Sequence, residues 1–235
     1  MKTTLNKMFV ILFASTLLIG CEATKNANNK QKGAVIGATG GAVIGGVIGN
    51  NTGDGNTALG SIIGGVVGGT AGAIIGNRMD KQAQRIEEEI PGAEVERVGE
   101  GINVTFDETS GVYFATDKYN INDKSQATLK KLADIFREYP QTNILVEGHT
   151  DNTGSDSYNL TLSKNRAQAV TGYLVDSGIE KGRFTTKWYG EAQPKYDNTT
   201  ADGRAKNRRV ELAIVANEEL KEQAKQQAEK QEGNN

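Results

Sequence analysis

Residues Glu147 to Val170 read EGHTDNTGSDSYNLTLSKNRAQAV, a strand end, a polar loop and a helix start in succession. Upstream, Ile144 and Val146 alternate with Leu145 and Glu147, the period of two expected of a half-buried strand. Gly148 and the turn formers Asn152, Thr153 and Gly154 then stop it. Downstream, Leu160, Ala167, Val170 and Leu174 recur at helical spacing as one apolar stripe, with Ser155 or Asp156 placed to cap the helix. This reading puts Asp151 in the loop and Arg166 on the helix.

Outward from that stretch the strand and helix signals continue. Gly101 to Phe106 alternates as a strand, Gly111 to Phe114 reads as a second, and Asp107 to Ser110 is the turn between them. Leu129, Leu132, Ala133 and Phe136 mark an amphipathic helix ending near Tyr139-Pro140. Phe184, Thr186 and Trp188 alternate along another strand, and Val210, Leu212 and Ile214 along the last. The order β-β-α-β-α-β-β predicts an α+β fold, a mixed sheet with helices on one face.

The N-terminal third has a different composition. Lys2 and Lys7 precede an apolar run from Met8 to Leu18, and Leu18-Ile19-Gly20-Cys21 follows the lipobox pattern of a bacterial lipoprotein signal. Residues 1–20 are therefore expected to be the signal and Cys21, the only cysteine of the chain, the lipidated residue. A single thiol closes disulfide and cysteine-cluster readings. Loss of two lysines takes the formal charge from −2 to −4, which leaves no basic footprint for nucleic acid. Residues 21–32 are polar and read as a tether. Glu22, rather than Asp, follows the cysteine and favours the outer membrane.

Of the 235 residues 29 are glycine, and the excess is concentrated in one segment. Gly33, Gly37, Gly41, Gly45 and Gly49 lie four apart, as do Gly60, Gly64, Gly68, Gly72 and Gly76. Each glycine costs an isolated helix about 0.8–1 kcal/mol, so the register implies close backbone packing as compensation. Residues 33–77 resemble the glycine-zipper segments of bacterial envelope proteins, two antiparallel helices that associate with the lipid bilayer over residues 33–76 or stay outside it, and that offer a surface for homo-oligomers. Residues 78–100 turn charged and read as a solvated helix or neck, and 218–235 as a frayed or disordered polar tail.

Gly148-His149-Thr150-Asp151, Asn159, Leu162-Ser163, Arg166-Ala167, Gly203-Arg204-Ala205 and Asn207-Arg208-Arg209-Val210-Glu211, in this order, resemble the OmpA-like peptidoglycan-binding domain. The resemblance spans residues 101–217 and implies an αβ sandwich. It also implies a ligand, the diaminopimelate of peptidoglycan stem peptides, whose free end carries an ammonium and a carboxylate on one carbon. Such a ligand needs an anion and a bidentate cation close together, and a planar guanidinium suits the carboxylate better than an ammonium does. By resemblance Asp151 takes the ammonium and Arg166 the carboxylate, Asp117 and Thr150 line the same pocket, and Asn159 supports the loop; with Arg208 these are the expected ligand-binding residues. Arg204 and Arg209 are expected to face solvent or carboxylates, and His149 to position the loop.

An ordinary loop-to-helix ion pair is the bland alternative for Asp151 and Arg166. The loop DNTGSD has no EF-hand spacing, and Leu162 stands where a closing Glu is needed. The sequence thus calls for no metal, no cofactor and no catalytic residue. It describes a lipoprotein that binds peptidoglycan and tethers the outer membrane to the wall. The rival is a zipper-driven oligomeric pore or assembly scaffold clamped to the wall.

Overall fold

The computed structural model describes residues 67–107, 110–114 and 117–233. The expected signal, Cys21, the tether and the zipper up to residue 66 lie outside the described residues. Five strands, β1 (Glu94–Val98), β2 (Gly101–Phe106), β3 (Thr142–His149), β4 (Phe184–Gly190) and β5 (Val210–Ala216), form one sheet in the order β1-β2-β5-β3-β4. The helices are α1 (Gly69–Glu89), α2 (Asp123–Glu138), α3 (Asp156–Asp176), α4 (Ala201–Asn207) and α5 (Glu218–Glu232). Every strand pair is antiparallel except β3 with β4, which α3 connects as a crossover. The fold is the expected α+β mixed sheet.

Period-two alternation decides which face carries the helices. Ile102, Val104 and Phe106 of β2, Ile144 and Val146 of β3, and Val210, Leu212 and Ile214 of β5 share one core with Ile75, Met79 and Ile86 of α1. Leu129, Leu132 and Phe136 of α2 and Ala167, Val170 and Leu174 of α3 complete it. Gly148 is where α3 presses hardest on the sheet. A Cβ there would stand 2.2 Å from the carbonyl oxygen of Ser163, so only glycine lets the helix sit directly on β3.

Four expectations require correction. Residues 111–114 do not pair as a strand: the Tyr113 N–H donates to Ser125 Oγ at 3.2 Å, and its carbonyl accepts from Asn122 Nδ2 at 2.9 Å. With both backbone groups of Tyr113 taken by the start of α2, that residue has none left for a ladder. The second strand is instead β1, hidden in the expected neck, where Arg97 bonds Asp80 of α1 at 2.9 Å. The neck is not solvated, because α1 runs straight across the junction expected at residues 77 and 78 and buries Ile75, Met79, Ala83 and Ile86. Nor is the tail frayed: α5 buries Leu220, Ala224 and Ala228, and Thr70 Oγ1 of α1 donates to Glu232 of α5 at 3.1 Å.

Glu100 fixes where α1 begins. Its carboxylate accepts the N–H groups of Val67 and Gly68 at 3.0 to 3.2 Å, supplying acceptors and negative charge at a helix N-terminus. No helix among the described residues is long and apolar enough to cross a membrane.

Candidate functional site

The buried stripe of α3 begins polar and ends apolar. Asn159, Ser163 and Arg166 precede Val170 and Leu174 on it, and a run of buried polar side chains on a helix marks where to look for a site. Leu160, expected on the stripe, is 46 % exposed; Leu162 takes its place against the loop. Ser155 caps α3, accepting the Tyr158 N–H.

A cavity of 170 Å³ opens between this helix turn and the loop after β3, lined by Asp117, Thr150, Asp151, Asn159, Arg166 and Arg208. Those are the six ligand-binding residues expected from the sequence. Thr153, Tyr158, Leu162 and Arg204 line it as well, and sequence reasoning missed them as lining residues. Tyr158, Leu162 and Arg166 are spaced four apart on α3, and that spacing was the available signal. The volume is below the about 300–1,000 Å³ of whole-ligand pockets and suits the end group of a larger ligand.

Asp151 is held on both oxygens. Oδ1 accepts the Thr153 N–H at 2.8 Å, and Oδ2 accepts Arg208 Nη1 at 2.6 Å. Burial alone would raise its carboxyl, but the Arg208 and Thr153 hydrogen bonds outweigh it and hold the group below the usual carboxylate range. Asn159 Nδ2 donates to the Asp151 carbonyl at 3.3 Å and to Glu191, which ties the loop to the helix.

Arg166 is almost fully buried. Its Nε donates to the Lys118 carbonyl at 3.0 Å, and its guanidinium lies 5.2 Å from the Phe114 ring centroid. Burial first, then the charge of Arg208, pushes it down to about 10, so it stays cationic at neutral pH. Asp117, at φ 57°, is the one non-glycine in the left-handed region among the described residues. Its carboxylate accepts the Tyr158 hydroxyl at 2.8 Å, which secures a conformation that costs energy and presents the next carbonyl to Arg166.

The second motif positions Arg208. Asn207 is fully buried, and its side chain bonds the N–H groups of Lys195 and Tyr196, the Tyr196 carbonyl and the Asn198 side chain at 2.8 to 3.0 Å. It fastens the loop after β4 beneath α4. Arg204 Nη1 bonds the carbonyls of Asn198 and Thr199 at 2.8 and 3.2 Å while lining the cavity, so the solvent-facing expectation fails for it. Arg209 pairs in the interior with Glu211 at 2.5 Å. His149 stacks on Tyr189 with centroids 5.5 Å apart, and its backbone N–H donates to the Arg209 carbonyl at 3.0 Å.

Residues 113–208 match the OmpA family and residues 1–80 the YMGG-like Gly-zipper family. The chain carries an OmpA-family domain. Outer membrane porin F of Pseudomonas aeruginosa is 47% identical over 120 residues, covering 51% of this chain and 33% of the porin. The Escherichia coli protein named "Probable lipoprotein YiaD" is 33% identical over 140 residues, covering 60% of this chain and 64% of that one. Peptidoglycan-binding protein ArfA of Mycobacterium tuberculosis is 36% identical over 103 residues, covering 44% and 32%. The chain thus spans between a third and two thirds of these relatives' lengths. Among solved structures, a MotB-like protein of Desulfovibrio vulgaris superposes with a TM-score of 0.50 at 28% identity, covering 60% of this chain and 88% of that one. The OmpA-family domain accounts for every residue of the cavity.

Proposed function

We propose that this protein binds peptidoglycan non-covalently through the cavity between α3 and the β3 loop, and that it fastens the outer membrane to the cell wall. One observation carries the reading: an anionic Asp151 and a cationic Arg166 line a single small cavity. That pairing complements a ligand end bearing ammonium and carboxylate on one carbon, as diaminopimelate does. Asp151 takes the ammonium, exchanging its contact with Arg208 for the ligand's charge, and Arg166 takes the carboxylate. Thr150 and Asp117 flank the ligand, while Asn159 holds the loop. The name of ArfA and the outer-membrane names among the relatives support the same reading. Lipidation at Cys21 supplies the membrane end, and in sequence the zipper residues before α1 separate it from the wall-binding domain. No step of this function requires bond chemistry.

Co-sedimentation of the full chain with purified sacculi tests the proposal. Asp151→Asn and Arg166→Ala should each weaken retention about tenfold or more, since each removes a charge-assisted contact contributing about 1.5–3 kcal/mol. Free diaminopimelate should compete with wild type. Undiminished retention of both folded variants would remove the site assignment. Cys21→Ser should move the protein out of the membrane fraction, and an intact mass without lipid on wild type would remove the anchor.

A further inference from the structure

On the sheet face opposite the helices, Glu147 of β3 lies directly across from Glu211 of β5, and His149 follows two residues on. All three are buried: 0%, 0% and 1% exposed. One donor atom from each lies within 4.8 Å of the others. Among the described residues, neither ring nitrogen of His149 nor Oε2 of Glu211 has a hydrogen-bond partner. The surrounding groups already satisfy the outer atoms: Arg209 Nε bonds Oε1 of Glu211 at 2.5 Å, and the Tyr189 hydroxyl bonds Oε1 of Glu147 at 3.2 Å.

The donor types give the cluster direction: one imidazole with two carboxylates is a set that suits divalent transition metals. From this geometry we infer that Glu147, His149 and Glu211 form a site for a first-row divalent cation such as zinc. The mixed imidazole and carboxylate set excludes the all-oxygen preference of calcium and magnesium. Ligand bonds of about 2.0–2.2 Å require the three donors to draw in by roughly 1 Å. Arg209 and Tyr189 then act as the hydrogen-bonding partners that orient ligating carboxylates.

The position gives the ion a purpose. His149 is followed by Thr150 and Asp151, and Glu211 is preceded two residues earlier by Arg209 and three by Arg208. Binding would clamp β3 to β5 immediately beneath the loop that carries the cavity. The inference does not depend on what the cavity binds.

Untagged full-length protein, extracted in detergent and stripped with a chelator, should take up one zinc ion per chain by calorimetric titration and melt at a higher temperature once loaded. His149→Gln and Glu147→Gln should each lower the affinity about tenfold or more, while Leu160→Ala, at an exposed position of α3, leaves it unchanged. Absence of stoichiometric uptake by stripped, folded wild type overturns the inference. So does equal uptake by folded His149→Gln. A stripped, folded wild type that zinc does not stabilise overturns it as well. Because wild-type stoichiometry is decisive alone, a variant that fails to fold does not shield the idea.

Discussion

Arg208 Nη1 stands 2.6 Å from Asp151 Oδ2 and joins residues 57 apart in the chain. Arg208 and Arg166 both line the cavity, and the charge of Arg208 is felt at Arg166. The contact makes the Asp151 anion a stored one, paired before any ligand arrives. The ordinary ion pair weighed from the sequence joined Asp151 to Arg166; the ion pair resolved at Asp151 uses Arg208.

The pH dependence follows from the sign of the Asp151 shift. Its folded pKa lies below the unfolded value of about 3.9. Stability from the pair is therefore complete above about pH 4 and lost as pH falls through the still lower folded value. Thermal stability and sacculus retention should be unaffected by Asp151 between about pH 5 and 8 and decline only below about pH 4. Melting curves across that range check it, with Asp151→Asn expected to flatten the acid limb.

Arg166→Lys should fail to restore binding even though charge is kept. An ammonium cannot give the fork that holds a carboxylate while also bonding the Lys118 carbonyl and lying over Phe114. Retention on sacculi should drop about tenfold, corresponding to about 1.4 kcal/mol. Wild-type retention by the lysine variant would show that only the charge matters.

Gly148→Ala should destabilise the fold by about 1–3 kcal/mol, because the added carbon meets helix backbone that cannot rotate aside. Chemical denaturation measures it. The apparent binding loss should track the folded fraction.

Leu174→Ala should cost about 2–5 kcal/mol, and Leu160→Ala within about 0.5 kcal/mol, although both leucines sit on the expected stripe. Leu174 is fully buried and Leu160 is 46 % exposed. Paired denaturation curves settle the difference.

That contrast shows what periodicity conveys and where it stops. The spacing of Ala167, Val170 and Leu174 locates the buried face of α3, but over its first three turns the buried polar positions are Asn159, Ser163 and Arg166, which a hydrophobic pattern skips. Motif spacing located Asp151, Arg166 and Arg208 for the opposite reason: their chemistry is specific even without burial. Residues 94–98 alternate Glu and Arg with Val at an edge, so β1 carries too little apolar signal to read as a strand. The covered second face of β3 was equally hidden. Glu147 looks like a solvent residue until the loop after β4 is seen to fold over it, with Arg209 bonded to the Gln193 carbonyl.

The antiparallel pairing of α1 with α5 has a mechanical consequence. Glycine-zipper register continues into α1, whose start is bound by Glu100 and whose length lies against α5. In turn, α5 leaves β5 through its Asn217 cap, and β5 is the central strand of the sheet, beginning two residues after Arg208. A pull arriving at residue 67 therefore loads two packed helices in shear, passes into the middle of the sheet, and ends on the arginine that holds Asp151. Between residue 67 and the cavity this route runs through packed helices and a hydrogen-bonded sheet, so tension on one end is delivered to the proposed binding cavity at the other.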